Sequence, residues 1–284
     1  MNQPNLRLLV LTHGAGELAL ERLIGLASVE VAGIFVETKT APRRSHLEKL
    51  RRSIRYDGYG STALKFARKL VGSGEPGSSS AATEETLHRV RKIAADHSVP
   101  IHFVNDYHSP ESVETMRAAN ADLGILLGTN ILRESVFKLP RLGSINLHQG
   151  LAPYYRGCPA IFWELYNGER EIGITVHFVE SKVDTGDIIL QRTVPLEYDY
   201  RYESDFEAFI TDYRQRLVVP CANLIADAVQ MIADGNEARH PQDCSLGKRY
   251  RLPIKKEKDE LRRRLRERRE RTIQYGSAQK VSGD

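Results

Sequence analysis

Asn146 and His148 form the first pair of residues in the chain whose types and spacing could perform chemistry together. They stand two positions apart in residues 144–148, a predicted short strand, so their side chains leave the same face. An amide can donate a hydrogen bond to an oxyanion, and an imidazole can donate or shuttle a proton, which suits acyl transfer. Two ordinary polar residues at a strand end have the same spacing, and the pair alone favours that simpler interpretation.

Asp184 is a third candidate, because it lies in a Val-Asp-Thr-Gly turn that separates two predicted strands and ends at Gly186. A carboxylate in this turn could reach His148 and favour its imidazolium form. The same carboxylate could instead bond to the backbone of its own turn, as Asp-Thr-Gly sequences readily do. Spacing alone leaves both interpretations open.

The elements that must position these side chains begin as an alternation of apolar strands and amphipathic helices. Helix starts are predicted at Thr83, as an N-cap, and at Ser109, which is followed by Pro110 at the first helical position. The strand runs are apolar on both faces, as in a parallel sheet covered by helices. The pattern predicts a Rossmann-like, doubly wound α/β fold with a mostly parallel sheet. The strands are predicted at 6–11, 29–36, 99–104 and 122–127.

The second half of the chain departs from this alternation. After a short helix at 160–166, two strands at 172–179 and 188–195 follow with no helix between them, which predicts an added antiparallel edge. A capping box of Ser204 and Glu207 predicts a helix that runs to about residue 233, broken or kinked at Pro220. This stretch predicts a small helical C-terminal region.

Composition places the chain among ordinary soluble proteins, with 41% hydrophobic and 27% charged residues over 284 positions. No apolar run approaches the roughly 20 residues that cross a bilayer, so no membrane association is expected. Cys158, Cys221 and Cys244 are irregularly spaced and form neither a disulfide framework nor a metal knuckle. We therefore expect a cytoplasmic protein without a metal site.

The formal net charge of +4 is concentrated near the C-terminus. Residues 255–271 contain ten Lys and Arg against five Asp and Glu, so the remainder of the chain is nearly neutral. A generally basic surface for nucleic acid is therefore not supported. The charged segment is predicted to be a helix with too few apolar residues to bury, either a solvated face or an RNA contact. Residues 71–80 have linker composition and are predicted to be a surface loop.

Four motifs follow one another between about residues 121 and 195. They read GSINLH at 143–148, LAPYYRG at 151–157, GITVHFV at 173–179 and VDTGDIILQ at 183–191. Together they resemble the formyltransferase family that uses 10-formyltetrahydrofolate, which includes methionyl-tRNA, glycinamide ribonucleotide and sugar N-formyltransferases. Four linked motifs in order are far more specific than any one of them.

The resemblance implies catalytic roles for Asn146, His148 and Asp184. The acceptor amine would attack the formyl carbon, and Asn146 and protonated His148 would stabilise the oxyanion of the tetrahedral intermediate. Asp184 would hold His148 in its charged orientation and help to remove the amine proton. The resemblance further implies 10-formyltetrahydrofolate as formyl donor. Its pocket would be formed by Gly128, Thr129, Asn130, Ile131 and Leu132, with Lys182 and Val183 closing over it.

Recognition of the acceptor is the least defined part of the resemblance. The implied acceptor contacts are His13, Gly14, Tyr155, Arg156 and Gly157. Arg156 could pair with a phosphate or could only brace its loop. The favoured acceptor is a small or nucleotide-linked amine such as an amino sugar, since no appended β-barrel for tRNA is recognised after residue 200. Initiator tRNA as the acceptor, hydrolysis of the formyl-folate and a non-catalytic binding module are the alternatives.

One departure from the family pattern accompanies the resemblance, since Gln149 and Gly150 follow His148 where relatives usually have Pro-Ser or Gly-Ser. The resemblance places His177 on a strand near the site, and a satisfied core histidine is the preferred interpretation of it. The predicted division of the chain is a formyltransferase catalytic domain at 1–200, a helical extension at 201–250 and a basic charged tail at 251–284.

Overall fold

A computed structural model describes residues 6–38, 51, 55–56, 78–157, 159–202 and 205–281, and the side chains of 78–83 and 272–281 lie outside this description. Within it, the core is a seven-stranded sheet in the order β3-β2-β1-β4-β5-β7-β8. The sheet strands are β1 Leu6–Thr12, β2 Val29–Glu37, β3 Ile101–Val104, β4 Leu123–Leu127, β5 Ser144–Gln149, β7 Glu171–Phe178 and β8 Ile188–Pro195. A separate parallel pair consists of β6, Tyr155–Gly157, and β9, Lys248–Tyr250.

The sheet confirms the predicted fold class. Strands β1 to β5 pair in parallel, whereas β7 runs antiparallel to both β5 and β8. The parallel part has almost fully buried strands such as β4, because helices cover both faces. The antiparallel edge matters for the site, because it places the β7–β8 turn beside the end of β5.

Seven helices are present in the described residues. These helices are α1 Glu17–Ile24, α2 Ser78–Asp96, α3 Pro110–Ala118, α4 Glu134–Phe137, α5 Phe162–Asn167, α6 Phe206–Ala233 and α7 Lys255–Val281. Of the two predicted N-caps, one is confirmed and one is wrong. Ser109 caps α3 by accepting from the Ser112 amide, as predicted. Thr83 is not a cap, because α2 begins five residues earlier and takes in the end of the predicted 71–80 loop. Residues 71–77 of that loop lie outside the described residues.

The long helix α6 corrects the prediction for its start and its middle. Its N-cap is Asp205, whose side chain accepts from the Ala208 amide, so the capping box was wrong; Ser204 lies outside the described residues. Pro220 removes one backbone donor, yet the helix continues through it because buried side chains on both sides, Leu217 and Leu224, hold it on the core. By length and composition alone α6 could span a membrane, but its contacts with α1 and the sheet account for its apolar face.

The basic helix α7 is docked on the body, which contradicts the prediction that it has too few apolar residues to bury. Leu261 and Leu265 are 0% and 1% exposed and belong to the main core cluster. Arg264 and Arg268 donate to the carbonyls of Tyr166 and Leu165, which lie in the last turn of α5. The sequence pattern failed here because two leucines four residues apart suffice to anchor a helix whose remaining face is solvated.

Truncation of Leu261 is expected to release α7. Leu261→Ala should destabilise the docked helix by about 2–5 kcal/mol, since it removes a fully buried side chain and leaves a cavity. Amide hydrogen exchange in α7 should accelerate, and the urea midpoint should fall. Leu246→Ala is the matched control, because Leu246 is 57% exposed and its loss should cost less than about 0.5 kcal/mol. Equal effects of the two changes would show that α7 is not held through Leu261.

Candidate active site

Three elements of the sheet edge bring the predicted catalytic residues together. Asn146 and His148 leave the same face of β5, and His177 pairs directly with Asn146 on the antiparallel neighbour β7. Asp184 lies in the β7–β8 turn and its backbone adopts φ +54°. Residues other than glycine seldom adopt this conformation, and it often marks functional positions. The sheet topology, not the spacing in sequence, therefore brings the amide, the imidazoles and the carboxylate to one place.

Asp184 is the centre of this cluster. Its Oδ2 lies 3.6 Å from His148 Nδ1 and its Oδ1 lies 3.5 Å from His177 Nε2. The Gly157 amide donates to Oδ2 over 2.8 Å. Burial alone would raise the pKa of Asp184, but the adjacent imidazoles of His177 and His148 and the hydrogen bond from the Gly157 N–H outweigh it and lower that pKa to about 2. The carboxylate is therefore ionised at neutral pH.

His148 is buried and fixed by the backbone. Its Nε2 donates to the Tyr155 carbonyl over 2.7 Å, which leaves Nδ1 facing Asp184 at a distance too long for a good hydrogen bond. Burial lowers the pKa of His148 below its ordinary value of 6.5, and this outweighs the opposing effects of Asp184 and the Tyr155 carbonyl. Burial therefore opposes the imidazolium that the neighbouring carboxylate was expected to favour, and a neutral His148 has an unprotonated Nδ1 beside that carboxylate.

His177 belongs to the same cluster, although it was expected to be only a satisfied core histidine. It is 2% exposed, and its Nδ1 donates to the Phe178 carbonyl over 2.7 Å. With the proton on Nδ1, Nε2 can accept from Asn146 Nδ2, which lies 3.4 Å away. His177 thus orients the Asn146 amide and leaves its second N–H for another acceptor. Its place opposite Asn146 in the register was the signal that sequence reasoning missed.

Gly150 explains the unusual residues after His148. A Cβ at this position would lie less than 3.0 Å from both His148 Nε2 and the Tyr155 carbonyl oxygen, the two atoms of the bond that fixes the imidazole. Only glycine leaves room for that bond. Gly150 therefore permits the orientation of His148 that is seen here.

Gly150→Ala is expected to reduce the formyl transfer that the resemblance implies by about 10-fold to 100-fold, because the added methyl group must push His148 or Tyr155 aside and small misplacements at a reacting centre have effects of this size. Steady-state kinetics with a fixed acceptor would measure it. Gly25→Ala is the control, because a Cβ there meets only ordinary contacts at 3.4 Å or more. Unchanged activity in Gly150→Ala would mean that the observed orientation of His148 is unimportant.

A cavity of about 980 Å³ opens beside the cluster. One wall consists of all seven residues predicted to hold folate: Gly128, Thr129, Asn130, Ile131, Leu132, Lys182 and Val183. Asn146, His148, His177 and Asp184 line the same cavity. Ile131 is 69% exposed and therefore offers an uncovered apolar side chain to a ligand in the cavity. The structure thus brings the predicted donor wall and the predicted catalytic groups to one cavity.

The predicted acceptor residues are not brought to this cavity, with the exception of Gly157. His13 donates from Nδ1 to the Glu37 carbonyl and accepts at Nε2 from the Asn130 amide. It therefore supports the backbone of the segment 128–132, which was predicted to hold folate. Gly14 precedes α1 and packs near Leu87 on α2.

The other two predicted acceptor residues contact other segments of the protein. The Tyr155 hydroxyl donates to Glu169 over 2.7 Å, and its ring stacks on that of Tyr250. Arg156 donates to the carbonyls of Pro153 and Cys244, which supports the interpretation that it braces the loop. Neither side chain lines the cavity beside the cluster, and their contact with an acceptor stays a prediction.

A further part of the cavity lining was missed in the sequence. It is formed by Trp163, Tyr166, Lys248, Arg249, Tyr250, Arg251, Leu252 and Glu257. Its strand β9 pairs in parallel with β6, about 90 residues away, so only the fold brings it to the site. Within the described residues, no group of three or more His, Cys, Asp or Glu side chains is arranged to hold a metal ion.

Comparison with known proteins assigns the family. Residues 76–215, about half of the chain, match the family model described as formyl transferase. The chain belongs to the formyl transferase family. It is 32% identical over 180 residues to the methionyl-tRNA formyltransferase of Chlorobium chlorochromatii (strain CaD3), covering 63% of this chain and 54% of the relative. It is 32% identical over 158 residues to that of Geobacter sulfurreducens, covering 55% and 47%. The chain thus spans about half the length of these relatives.

Solved structures of formyl transferases share the fold. Glycinamide ribonucleotide transformylase 1 from Symbiobacterium toebii aligns with a TM-score of 0.55 at 22% identity, covering 84% of this chain and 95% of that one. A 4-N formyltransferase from Francisella tularensis aligns with a TM-score of 0.51 at 17% identity, covering 87% and 77%. At these identities the likeness establishes the fold alone. The family assignment agrees with the resemblance carried by the four motifs.

Proposed function

We propose that the protein is an N-formyltransferase that moves a formyl group from 10-formyltetrahydrofolate to the amine of a small or nucleotide-linked acceptor, such as an amino sugar. The observation that carries the proposal is the convergence of Asn146, His148 and Asp184 on one cavity, beside the donor wall at 128–132 and 182–183. A structural ion pair would not need an exposed apolar wall and a free amide N–H at the same place.

The donor wall fits a reduced folate. It includes the loop after β4, where backbone polar groups at 128–130 can form hydrogen bonds with the edge of a pteridine ring. The side chains of Ile131 and Leu132 can cover the face of that ring. Lys182 has no partner for its ammonium within the described residues and can meet a carboxylate of the folate. When bound there, the folate supplies the formyl group that is transferred.

The three polar side chains have separate roles in the proposed reaction. Asn146 donates its free N–H to the oxygen of the formyl group as that oxygen gains negative charge. His148 accepts the proton of the attacking amine at Nδ1, the nitrogen that the Tyr155 bond leaves unprotonated. Asp184 stabilises the imidazolium that results, and the Gly157 amide keeps the carboxylate in place. The proton then passes to the departing folate nitrogen.

The pH dependence of kcat separates this role of His148 from that of an imidazolium donor. Protonation blocks Nδ1, so kcat at saturating acceptor should rise with pH through an apparent pKa below 6.5 and then stay level to about pH 8. The sign follows from burial, which lowers the pKa of His148. Steady-state kinetics from about pH 5 to about pH 8 would measure it. A kcat that falls as pH rises over this range would contradict a neutral base.

Initiator tRNA is the second candidate acceptor, and the names of the relatives favour it, since both are methionyl-tRNA formyltransferases. Helix α7 begins at the cavity and has exposed arginines that could contact RNA. Most of its charges, however, are engaged in ion pairs along the helix, such as Arg263 with Glu260 and Lys255 with Asp259. Much of the positive charge of this helix is therefore already paired and is less available to a phosphate backbone.

The test is a formyl-transfer assay on the full chain. The protein would be incubated with 10-formyltetrahydrofolate and, separately, amino-sugar nucleotides, charged initiator tRNA, glycinamide ribonucleotide or no acceptor, with folate release followed by absorbance. We expect release with an amino-sugar compound only. Release with tRNA alone would replace the favoured acceptor by the second candidate. Release without any acceptor would instead indicate hydrolysis, and failure to bind folate would contradict the proposed function.

A further inference from the structure

Two sets of residues line the cavity besides the catalytic cluster. The donor wall at 128–132 and 182–183 lies inside the segment that matches the formyl transferase family. The second set is mostly the segment 248–252, which lies beyond residue 215, the end of that match. The cavity volume of about 980 Å³ is at the upper end for a single small-ligand pocket, which leaves room for a second ligand beside the donor. The wall formed by 248–252 is therefore the candidate contact for the acceptor.

This acceptor wall is held in position by several contacts. Strand β9 pairs with β6, so that Tyr250 is opposite Gly157, whose amide bonds to Asp184. A Cβ at Gly157 would lie less than 3.0 Å from the Tyr250 carbonyl oxygen, so glycine permits this close approach. The Trp163 indole donates to the Arg251 carbonyl over 2.8 Å. The acceptor wall thus stands one strand spacing, about 4.8 Å, from the residue that anchors the catalytic carboxylate.

The charges of the acceptor wall are uneven. Arg251 is paired with Glu257 over 2.9 Å and is neutralised by it. Arg249 has no hydrogen-bond or ion-pair partner, and Lys248 has no carboxylate partner, within the described residues. Both side chains are exposed. The Lys248 ammonium lies 4.8 Å from the centre of the Tyr250 ring, and this contact restricts the positions that the ammonium can take. Two positive charges therefore remain on a wall of an otherwise nearly neutral protein body.

We propose that this wall is the acceptor subsite and that Arg249 and Lys248 bind a phosphate or diphosphate group of the acceptor amine. A guanidinium binds a phosphate through paired N–H donors, and the ammonium adds a point charge. The neighbouring rings of Trp163 and Tyr166 give the wall an apolar part for a sugar or a base. The inference rests on the proposed function, and it assigns a specificity role to Arg249.

Binding to the full chain tests this assignment without requiring turnover. The protein would be saturated with 5-formyltetrahydrofolate and titrated calorimetrically with uridine diphosphate, thymidine diphosphate, glucosamine 6-phosphate and glucosamine. The variant is Arg249→Gln, which keeps a polar side chain and removes the charge. The matched control is Arg269→Gln on α7, since Arg269 is exposed, lies off the cavity and also has no partner in the described part of the chain.

We expect the phosphate compounds to bind and glucosamine not to bind. Arg249→Gln should weaken phosphate binding by about 10-fold or more, the usual effect of losing a charge-assisted hydrogen bond, and Arg269→Gln should leave it unchanged. Tighter binding of the diphosphates than of glucosamine 6-phosphate would identify a nucleotide-linked acceptor, and the reverse order a sugar phosphate.

Equal weakening by the two substitutions, or no phosphate binding to the folate-bound protein, would overturn the assignment. Binding of initiator tRNA that depends on Arg269 and not on Arg249 would overturn it as well. Affinity for 5-formyltetrahydrofolate serves as the separate readout: if the wild-type protein fails to bind it, the proposed function fails, whereas intact folate binding confines the failure to the acceptor subsite.

Discussion

Asp184→Asn is expected to lower kcat for formyl transfer by about 10³-fold to 10⁴-fold while the protein stays folded, the range seen when the carboxylate partner of a catalytic histidine is neutralised. Asparagine has nearly the same size and can still accept from the Gly157 amide. It cannot offer a negative charge to the imidazolium that forms on His148, and its NH₂ group would disturb the pairing with His177. The loss should therefore appear in kcat rather than in folate binding.

Single-turnover transfer and a folate titration would be measured side by side, together with the thermal midpoint. Asp187→Asn is the control: it lies three residues on in the same turn, does not line the cavity and has no side-chain partner within the described residues. It should behave as the wild type. If Asp184→Asn kept more than about a tenth of wild-type turnover, the carboxylate would be structural and the proposed chemistry would need another base.

Elements with a regular hydrophobic pattern were predictable from the sequence to within one or two residues. The parallel strands appear as continuous apolar runs because both faces are buried, and Ser109 with Pro110 marks the start of α3 through cap chemistry alone. The cap of α6 was misplaced by one residue, because Ser204 and Asp205 are both good caps and the sequence does not choose between them.

Contacts between distant segments were not predictable. The pairing of β6 with β9 joins two strands of three residues each, too short for any periodicity to stand out. The docking of α7 depends on Leu261 and Leu265 among many charged neighbours, and their burial is decided by the shape of α5 and its free carbonyls. Both contacts position the lining segment 248–257, which explains why the sequence indicated the other part of the lining and missed this one.

The electrostatics of the cluster were also beyond the sequence. The resemblance implied the residues Asn146, His148 and Asp184, and the structure brings them together. Whether His148 is charged depends on how deeply it is buried and on which nitrogen the Tyr155 carbonyl takes, and a backbone carbonyl seven residues away has no signature in a residue pattern. Burial reverses the protonation state expected from a neighbouring carboxylate.

His148→Ala provides the sharpest test of that protonation state. General-base catalysis by a positioned imidazole is worth about 10²-fold to 10⁴-fold, and we expect kcat to fall by about 10³-fold. The rise of kcat with pH should disappear, because the group that titrates is gone. Removal of a buried ring that lines the cavity also leaves a space open to added imidazole, which should restore part of the activity in proportion to its unprotonated fraction.

His177→Ala is the matched comparison, because His177 is equally buried and also lies beside Asp184. Its loss frees the Asn146 amide to rotate, so transfer should fall by less, by about 10-fold to 10²-fold, with the pH rise retained and no rescue by imidazole. If added imidazole restored activity to His177→Ala and not to His148→Ala, the general base would be His177 and His148 would have the positioning role.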